Sequence, residues 1–128
     1  MSFTAAAGPP ALLIVDDDAD VLRALGFMAD TRGFRVERCT SAEEALAAAI
    51  SHGPFDCMII DEKLPDEAGI DLLEGLRGRG VPAPAVLITT APSARLRRRA
   101  AALGAPIVEK PLLDEALFTE ILRLLRRD

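Results

Sequence analysis

The sequence predicts an α/β fold in which one parallel five-stranded sheet is covered by helices on both faces. Five apolar runs alternate with five amphipathic stretches along the 128 residues, and strict alternation of this kind is typical of a parallel sheet with helical crossovers. Several of the runs are apolar throughout, as strands buried on both faces are. Because such crossovers are right-handed, a doubly wound (βα)5 sandwich is the simplest topology.

The predicted strands differ in how continuously apolar they are. The second, FRVERC, alternates apolar and polar residues, which favours a strand with one exposed face or an edge strand. The fourth, PAVLITT, is nearly all apolar, which predicts burial on both sides of the sheet. The five strands are predicted at residues 11–16, 34–39, 55–61, 84–90 and 106–110.

Each predicted helix has a boundary signal and an apolar face. Ser41 and Glu44 form a capping box at the start of the second helix, where the two side chains satisfy free N–H groups. Gly33, Gly80 and Gly104 mark helix ends, and the last helix is predicted to start at about Asp114. The residues predicted to face the core are Val21, Leu25 and Met28; Ala45, Leu46, Ala49 and Ile50; Ile70, Leu73 and Leu76; Leu96, Ala100 and Leu103; and Leu117, Ile121 and Leu124.

Composition restricts the class of protein. The net charge of −5 argues against nucleic acid as the main partner, because such proteins usually carry a basic surface. No apolar stretch approaches the roughly 20 residues of a membrane span. Cys39 and Cys57 lie in strand-like runs without metal-ligand spacing, which predicts inert buried thiols and a cytoplasmic protein. We expect a flexible tail at 1–10 and a single domain at 11–128.

Polar residues stand where the predicted strands end. Asp16 and Asp17 close the first strand, Asp61 the third, Thr90 the fourth and Lys110 the fifth. In an open parallel sheet the carboxyl ends of the strands share one edge, and ligands bind there. The sequence therefore predicts that residues almost a hundred positions apart meet in one site.

Clustered carboxylates of this kind favour a divalent cation. Like charges raise one another's pKa, and Mg²⁺ relieves the repulsion while sharing its remaining positions with phosphate oxygens. An aspartate beside the cation can form an aspartyl phosphate, with the Lys110 ammonium and the Thr90 hydroxyl as partners of the phosphoryl oxygens. Aspartates at strand ends are also common as helix caps, and Asp18 or Asp20 could serve that purpose.

These residues resemble those of the CheY-like receiver domains of two-component response regulators. The resemblance covers residues 11 to 127 and is carried by VDD at 15–17, D-x-x-L-P-x-x-x-G at 61–69, T-A at 90–91 and K-P at 110–111. It implies a flavodoxin-like sheet of order 2-1-3-4-5 and phosphorylation of Asp61 by a histidine kinase or phosphotransfer protein. It further implies direct Mg²⁺ ligation by Asp17, Asp61 and the backbone carbonyl of Lys63, with Asp16 acting mainly through water. Thr90 and Lys110 would hold the phosphoryl oxygens, and the Lys110–Pro111 peptide would be cis.

The sequence departs from the family pattern at three positions. Ile107 stands where many receivers have an aromatic residue that reports the state of the threonine, and the chain has no Tyr or Trp. We therefore expect phosphate binding without the usual aromatic readout. Lys63 lies two residues after the acceptor, and Pro92 lies two residues after Thr90. Both side chains can alter the hydrolysis rate of the aspartyl phosphate.

The fourth predicted helix has a basic surface. Arg95, Arg98 and Arg99 are spaced i, i+3 and i+4, so they share one face. The face is either an ordinary solvated surface or a docking patch for an acidic partner, with Arg supplying forked donors. On the second interpretation, a downstream protein binds to the surface formed by the fourth helix, the fifth strand and the fifth helix.

Three functions remain open at this point. The first is a phosphorylation-controlled interaction module, which is not an enzyme beyond its own phosphorylation and slow dephosphorylation. The second is a Mg²⁺-dependent phosphatase or phosphotransferase, which the small size of the chain disfavours. The third is a degenerate receiver that binds partners without phosphorylation.

Overall fold

The computed structural model describes residues 8–112 and 115–126 and contains one five-stranded sheet. All pairings are parallel, in the order β2-β1-β3-β4-β5, which confirms the predicted fold class and strand order. The strands are β1 (Ala11–Val15), β2 (Arg35–Cys39), β3 (Cys57–Asp61), β4 (Ala85–Thr89) and β5 (Ile107–Glu109). The helices are α1 (Ala19–Thr31), α2 (Ala42–Ser51), α3 (Gly69–Gly78), α4 (Ala94–Ala102) and α5 (Ala116–Leu125).

The observed strands lie within the predicted ones and are shorter. The alternating β2 is an edge strand, as its pattern predicts, and β4 ends at Thr89 instead of Thr90. Of the predicted tail, residues 1–7 lie outside the described part of the chain. Pro10 is buried, and its carbonyl accepts a 2.8 Å hydrogen bond from the Arg35 N–H.

Alternate residues of the strands supply two apolar layers. Leu13, Ile60 and Leu87 point toward one layer, whereas Ile14, Ile59 and Ile88 point toward the other. Strand residues alternate between the two faces of a sheet, so a β3 residue one step after Ile60 belongs to the Ile59 side. The layers are closed by α2, α3 and α4 on the first side and by α1 and α5 on the second.

Most of the predicted helix faces are confirmed. Ile70, Leu73 and Leu76 are buried in α3, and Leu117, Ile121 and Leu124 are buried in α5. That last helix starts at Ala116, and the predicted start at Asp114 lies outside the described residues. In α4, Leu96 and Ala100 are buried, and Leu103, which caps the end of the helix, is partly buried.

Two helices depart from the predicted phase. In α1, Leu22, Leu25 and Ala29 are buried, and Val21 and Met28 only partly so. In α2 the buried side is Ala42, Ala45 and Ala48, Leu46 and Ala49 are partly buried, and Ile50 is 65% exposed. The prediction that Ile50 faces the core was therefore wrong. Because α2 is rich in alanine, its apolar pattern does not define one phase.

The predicted cap of α1 and the two predicted buried cysteines are confirmed. The Asp18 carboxylate accepts hydrogen bonds from the Asp20 and Val21 N–H groups and caps α1. Cys39 and Cys57 are free and buried, and burial raises their pKa values to about 11 and about 12. None of the described helices is long and apolar enough to cross a membrane.

Candidate functional site

Three carboxylates converge at the carboxyl edge of the sheet. Asp16, Asp17 and Asp61 each offer a ligand atom, and these atoms lie within 4.8 Å of one another. Asp16 has no solvent exposure and Asp61 is 4% exposed, whereas Asp17 is exposed. The structure thus brings together the acids of the first and third strands.

Strand register places the two buried acids side by side. Val15 of β1 pairs with Ile60 of β3, so Asp16 and Asp61 are the next residues on neighbouring strands. Both follow the phase of the α1 and α5 side of the sheet. The Asp16 N–H donates to the Cys39 carbonyl at 3.0 Å, which continues the β1–β2 hydrogen bonding one residue beyond the end of β1. Asp16 Oδ1 accepts a 2.9 Å bond from the Asp18 N–H.

Lys110 faces both buried acids. Its Nζ lies 3.3 Å from Asp61 Oδ2 and 3.4 Å from Asp16 Oδ2. The residue follows β5, and its backbone N–H donates to the Thr89 carbonyl at 2.8 Å. The Lys110–Pro111 peptide is cis, as the family resemblance implies.

The electrostatics of the pair are those of a crowded acidic site. Burial raises the pKa of Asp61 to about 6, and the neighbouring charge of Asp16 adds to the rise while Lys110 opposes it. Burial alone lowers the pKa of Lys110, but Asp16 and Asp61 outweigh it and leave this pKa raised. Lys110 is therefore charged at neutral pH, and Asp61 binds a proton more readily than an aspartate in water does.

The loop after Asp61 folds back toward the strand end. The Gly69 N–H donates to the Glu62 carbonyl at 2.8 Å, and a Cβ on Gly69 would lie 2.4 Å from the Asp61 carbonyl oxygen. This approach explains the glycine eight residues after the aspartate, since a larger residue would clash with backbone. Within the loop, the Lys63 N–H lies 3.4 Å from Asp61 Oδ1 and the Lys63 side chain is exposed.

Two threonines occupy the end of the fourth strand. Thr89 is the last residue of β4 and is 9% exposed, whereas Thr90 follows the strand and is exposed. Asp61 pairs with Ile88, so Thr89 lies one residue beyond the level of the acceptor and Thr90 two. Strand residues alternate between faces, so Thr89 lies on the Leu87 side of the sheet. Thr90 continues the Ile88 side, which is also the side of Asp61.

The backbone after these threonines is constrained. Ala91 has φ of 49°, a left-handed conformation that costs a residue with a Cβ roughly 1–2 kcal/mol. The strained residue sits between the threonines and α4, which begins at Ala94. Such strain persists where the surrounding structure holds it.

The donor set suits a hard cation. Asp16 Oδ2 is buried and makes no hydrogen bond to any described residue, although Lys110 Nζ is 3.4 Å away. One ammonium does not balance the negative charges of three clustered carboxylates, and a second cation beside this buried oxygen would offset the remainder. Mg²⁺ takes carboxylate and carbonyl oxygens, so the residues present fit the predicted ion.

The basic patch predicted on α4 is smaller in the structure. The Arg99 guanidinium binds Asp71 at 2.7 Å and Glu74 at 2.8 Å, both on α3. Arg95 and Arg98 are exposed and form no ion pair within residues 8–112 and 115–126. Arg99 thus fastens α4 to α3, and two of the predicted arginines remain on the surface.

Comparison with known proteins agrees with this geometry. Residues 12–122 match the family model of the response regulator receiver domain. The chain is 38% identical over 108 residues to the transcriptional regulatory protein KdpE of Mycobacterium tuberculosis, covering 83% of this chain and 47% of that protein. It is 31% identical over 117 residues to FixJ of Bradyrhizobium diazoefficiens, covering 91% and 57%. The chain therefore spans about half the length of these relatives.

Solved structures give the same result. A CheY-like response regulator receiver domain from Methanospirillum hungatei superimposes with a TM-score of 0.85 at 28% identity, over 92% of this chain and 94% of that one. The chemotaxis regulator CheY4 of Vibrio cholerae gives 0.82 at 26% identity, over 91% and 98%. With the family match over most of the sequence, the chain belongs to the response regulator receiver domains.

Proposed function

We propose that Asp61 accepts a phosphoryl group from a phosphohistidine on a histidine kinase or phosphotransfer protein, in the presence of Mg²⁺. The modification then changes a surface to which a downstream protein binds. The observation that carries this proposal is the buried Asp61 carboxylate held between Asp16 and the Lys110 ammonium at the edge of the sheet.

The chemistry is a nucleophilic substitution at phosphorus. An Asp61 carboxylate oxygen forms a bond to phosphorus while the bond from phosphorus to the donor imidazole nitrogen breaks, and the electron pair leaves with the imidazole. Because the pKa of Asp61 is about 6, the carboxylate is mostly ionised at neutral pH and can act as the nucleophile.

Asp16, Asp17, Asp61 and the Lys63 carbonyl would hold the metal. When bound, Mg²⁺ supplies positive charge that offsets the carboxylates and the phosphoryl oxygens. Lys110 supplies a second positive charge, since its Nζ already lies 3.3 Å from Asp61 Oδ2. Moving that ammonium to a phosphoryl oxygen exchanges one anionic partner for another.

A threonine hydroxyl completes the donors. Thr90 is proposed for this role, because it continues β4 on the face of the sheet that carries Asp61 and lines a cleft together with Lys110. The neighbouring Thr89 continues the opposite face, and its carbonyl accepts from the Lys110 N–H, so its backbone helps to position the lysine.

A cleft next to the site suits the docking of the phosphodonor. A cleft of about 520 Å³ opens between α1 and the residues that follow β5, and its wall includes Thr90, Pro111 and Lys110, the last of which contacts Asp61. The rest is largely apolar, with contributions from Val21, Ala24, Leu25, Met28 and Leu112. An amphipathic helix of a partner could bury an apolar face here and bring a histidine close to Asp61.

The output surface is proposed on α4, β5 and α5. A phosphoryl group adds about two negative charges at neutral pH, and a shift of the threonines would pass to α4 through Ala91 and Pro92. Arg95 and Arg98 then offer donors to an acidic protein partner. Direct nucleic-acid binding is not proposed, given the net charge of −5. The cytoplasmic location stays a prediction.

The proposal is tested by intact mass after incubation with acetyl phosphate and Mg²⁺. Wild-type protein should gain the mass of one phosphoryl group, and chelation of Mg²⁺ should prevent the gain. Asp61→Asn is the matched variant and should remain unmodified. Absence of modification of wild type with every donor, phosphorylated kinase included, would overturn the proposal and favour a degenerate receiver. Steady turnover of an added phosphate ester would favour a phosphatase.

A further inference from the structure

A carboxylate from the loop after β3 caps the helix that follows β2. Asp66 Oδ1 accepts a 2.9 Å hydrogen bond from the Ala42 N–H, and Oδ2 accepts one of 2.9 Å from the Glu43 N–H. Ala42 and Glu43 begin α2, so these N–H groups have no partner inside the helix. One side chain thus joins two segments more than twenty residues apart in sequence.

The loop that Asp66 fastens carries a predicted metal ligand. Lys63, whose backbone carbonyl is proposed to bind Mg²⁺, lies three residues earlier. The base of the loop is closed by Glu62, whose carbonyl accepts from the Gly69 N–H and whose Oε1 accepts from the Ile70 N–H, both at 2.8 Å. Lys63 itself forms a bridge with Ala68 across the loop.

The tip of the loop depends on fewer contacts than its base. Leu64 is 9% exposed and packs into the apolar layer under α2 and α3, while Pro65, Asp66 and Glu67 are exposed. Among these three exposed residues, the two bonds of Asp66 tie the tip to a regular element. Those bonds also lower the pKa of Asp66, so its carboxylate remains ionised and able to accept both.

We propose that Asp66 is a positioning residue for the metal site. By holding the loop tip against the start of α2, it fixes the direction of the Lys63 carbonyl toward Asp17 and Asp61. This inference rests on the proposed function, because it assumes that the carboxylates bind Mg²⁺. Residues that orient metal ligands change affinity without touching the ion.

The alternative is that Asp66 only stabilises α2, and Ser41 provides the matched control. The Ser41 hydroxyl accepts a 3.1 Å bond from the Glu44 N–H at the same helix end. Ser41→Ala therefore removes a cap from α2 while leaving the two bonds of Asp66 in place. Glu67→Gln is a second control, because it removes a negative charge at the next loop position, which is also exposed.

The experiment is a Mg²⁺ titration followed by the amide chemical shifts of isotope-labelled protein, with thermal unfolding of each variant alongside. We expect Asp66→Ala to raise the Mg²⁺ dissociation constant about 10-fold, at the lower end of what such positioning residues contribute. Ser41→Ala and Glu67→Gln should stay within about twofold of wild type, even where Ser41→Ala lowers the unfolding temperature as much. Asp66→Asn keeps one acceptor oxygen and should give an intermediate value.

Equal dissociation constants for Asp66→Ala and wild type would overturn the inference, as would an equal rise in Ser41→Ala. If Asp66→Ala does not fold, Asp66→Asn decides the question, and a wild-type value for it would also overturn the inference. Failure of the proposed function looks different: wild-type protein itself would show no Mg²⁺-dependent shifts at Asp16, Asp17 and Asp61.

Discussion

Strands β1 and β3 bury aliphatic side chains along their length, whereas at their carboxyl ends they place two carboxylates. Leu13, Ile14, Ile59 and Ile60 have no solvent exposure, and neither does Asp16. Burying one such aliphatic side chain stabilises the fold by about 1.5–3 kcal/mol, while burying like charges side by side opposes folding. The reactive carboxylates therefore lie where burial of charge opposes folding, at the ends of strands whose apolar interiors stabilise the sheet.

Truncation in the strand interior should have the largest effect. Ile60 is the residue before Asp61 and is fully buried. Ile60→Ala should lower the free energy of unfolding by about 2–5 kcal/mol, because it removes apolar contacts and leaves a cavity. Urea unfolding followed by circular dichroism measures the change. A loss below about 1 kcal/mol would show that the apolar interior of β3 does not stabilise the sheet in the way described.

One residue further along the chain, at Asp61, a substitution is expected to raise the free energy of unfolding instead of lowering it. Without Mg²⁺, Asp61→Asn should raise the free energy of unfolding at pH 7 by at most about 3 kcal/mol, and solvent at the edge of the sheet reduces this. The reason is that the fold raises the pKa of Asp61 from 3.8 to about 6. The stability that protonated Asp61 contributes to the wild type is therefore fully present below pH 3.8. It is lost as the pH rises through about 6.

The measurement is urea unfolding of both proteins between pH 4 and pH 7. The difference in stability between Asp61→Asn and wild type should grow over this range, since only the wild type carries the titrating group. A difference that is constant with pH would show that the buried charge of Asp61 does not oppose folding.

The two threonines at the end of β4 provide a matched pair of substitutions. Thr90→Val should slow phosphorylation by acetyl phosphate roughly 10-fold or more, because a donor to developing negative charge is lost. Thr89→Val is the matched change at the neighbouring position, on the opposite face of the strand, and should have a smaller effect. Rates come from intact mass against time, and a larger effect of Thr89→Val would contradict the role proposed for Thr90.

Magnesium should partly reverse the instability of the acidic edge. A ligand that binds only the folded protein stabilises it by about 1.4 kcal/mol at ten times its dissociation constant. Wild type should gain this much in thermal or urea unfolding, and Asp61→Asn much less, because a ligand carboxylate is lost. Equal stabilisation of both proteins would place the ion elsewhere.

The strands and the acidic site could be predicted because each signal is local. A run of apolar residues that stops at an aspartate defines both the strand and the edge where ligands bind, and this located Asp16, Asp17 and Asp61. Lys110 was located by its position at the end of the fifth strand. Contacts between distant segments carry no such signal. The pairing of Arg99 with α3 and of Asp66 with α2 depends on helix positions that the sequence pattern does not specify.

The phase of the short helices was predictable only where the residues are large. In α3, leucine and isoleucine recur at helical spacing and define one buried face. In α2 the alanines offer nearly equal apolar area on several faces, and packing under the sheet selects Ala42, Ala45 and Ala48 over Ile50.

The most direct test is a crystal structure of the protein with Mg²⁺ and beryllofluoride, which imitates the phosphoryl group. We predict beryllium bonded to an Asp61 carboxylate oxygen, Mg²⁺ ligated by Asp17, Asp61 and the Lys63 carbonyl, and the Lys110 ammonium turned toward a fluorine. Electron density that leaves this edge empty, or that places the ion away from the three aspartates, would contradict the account.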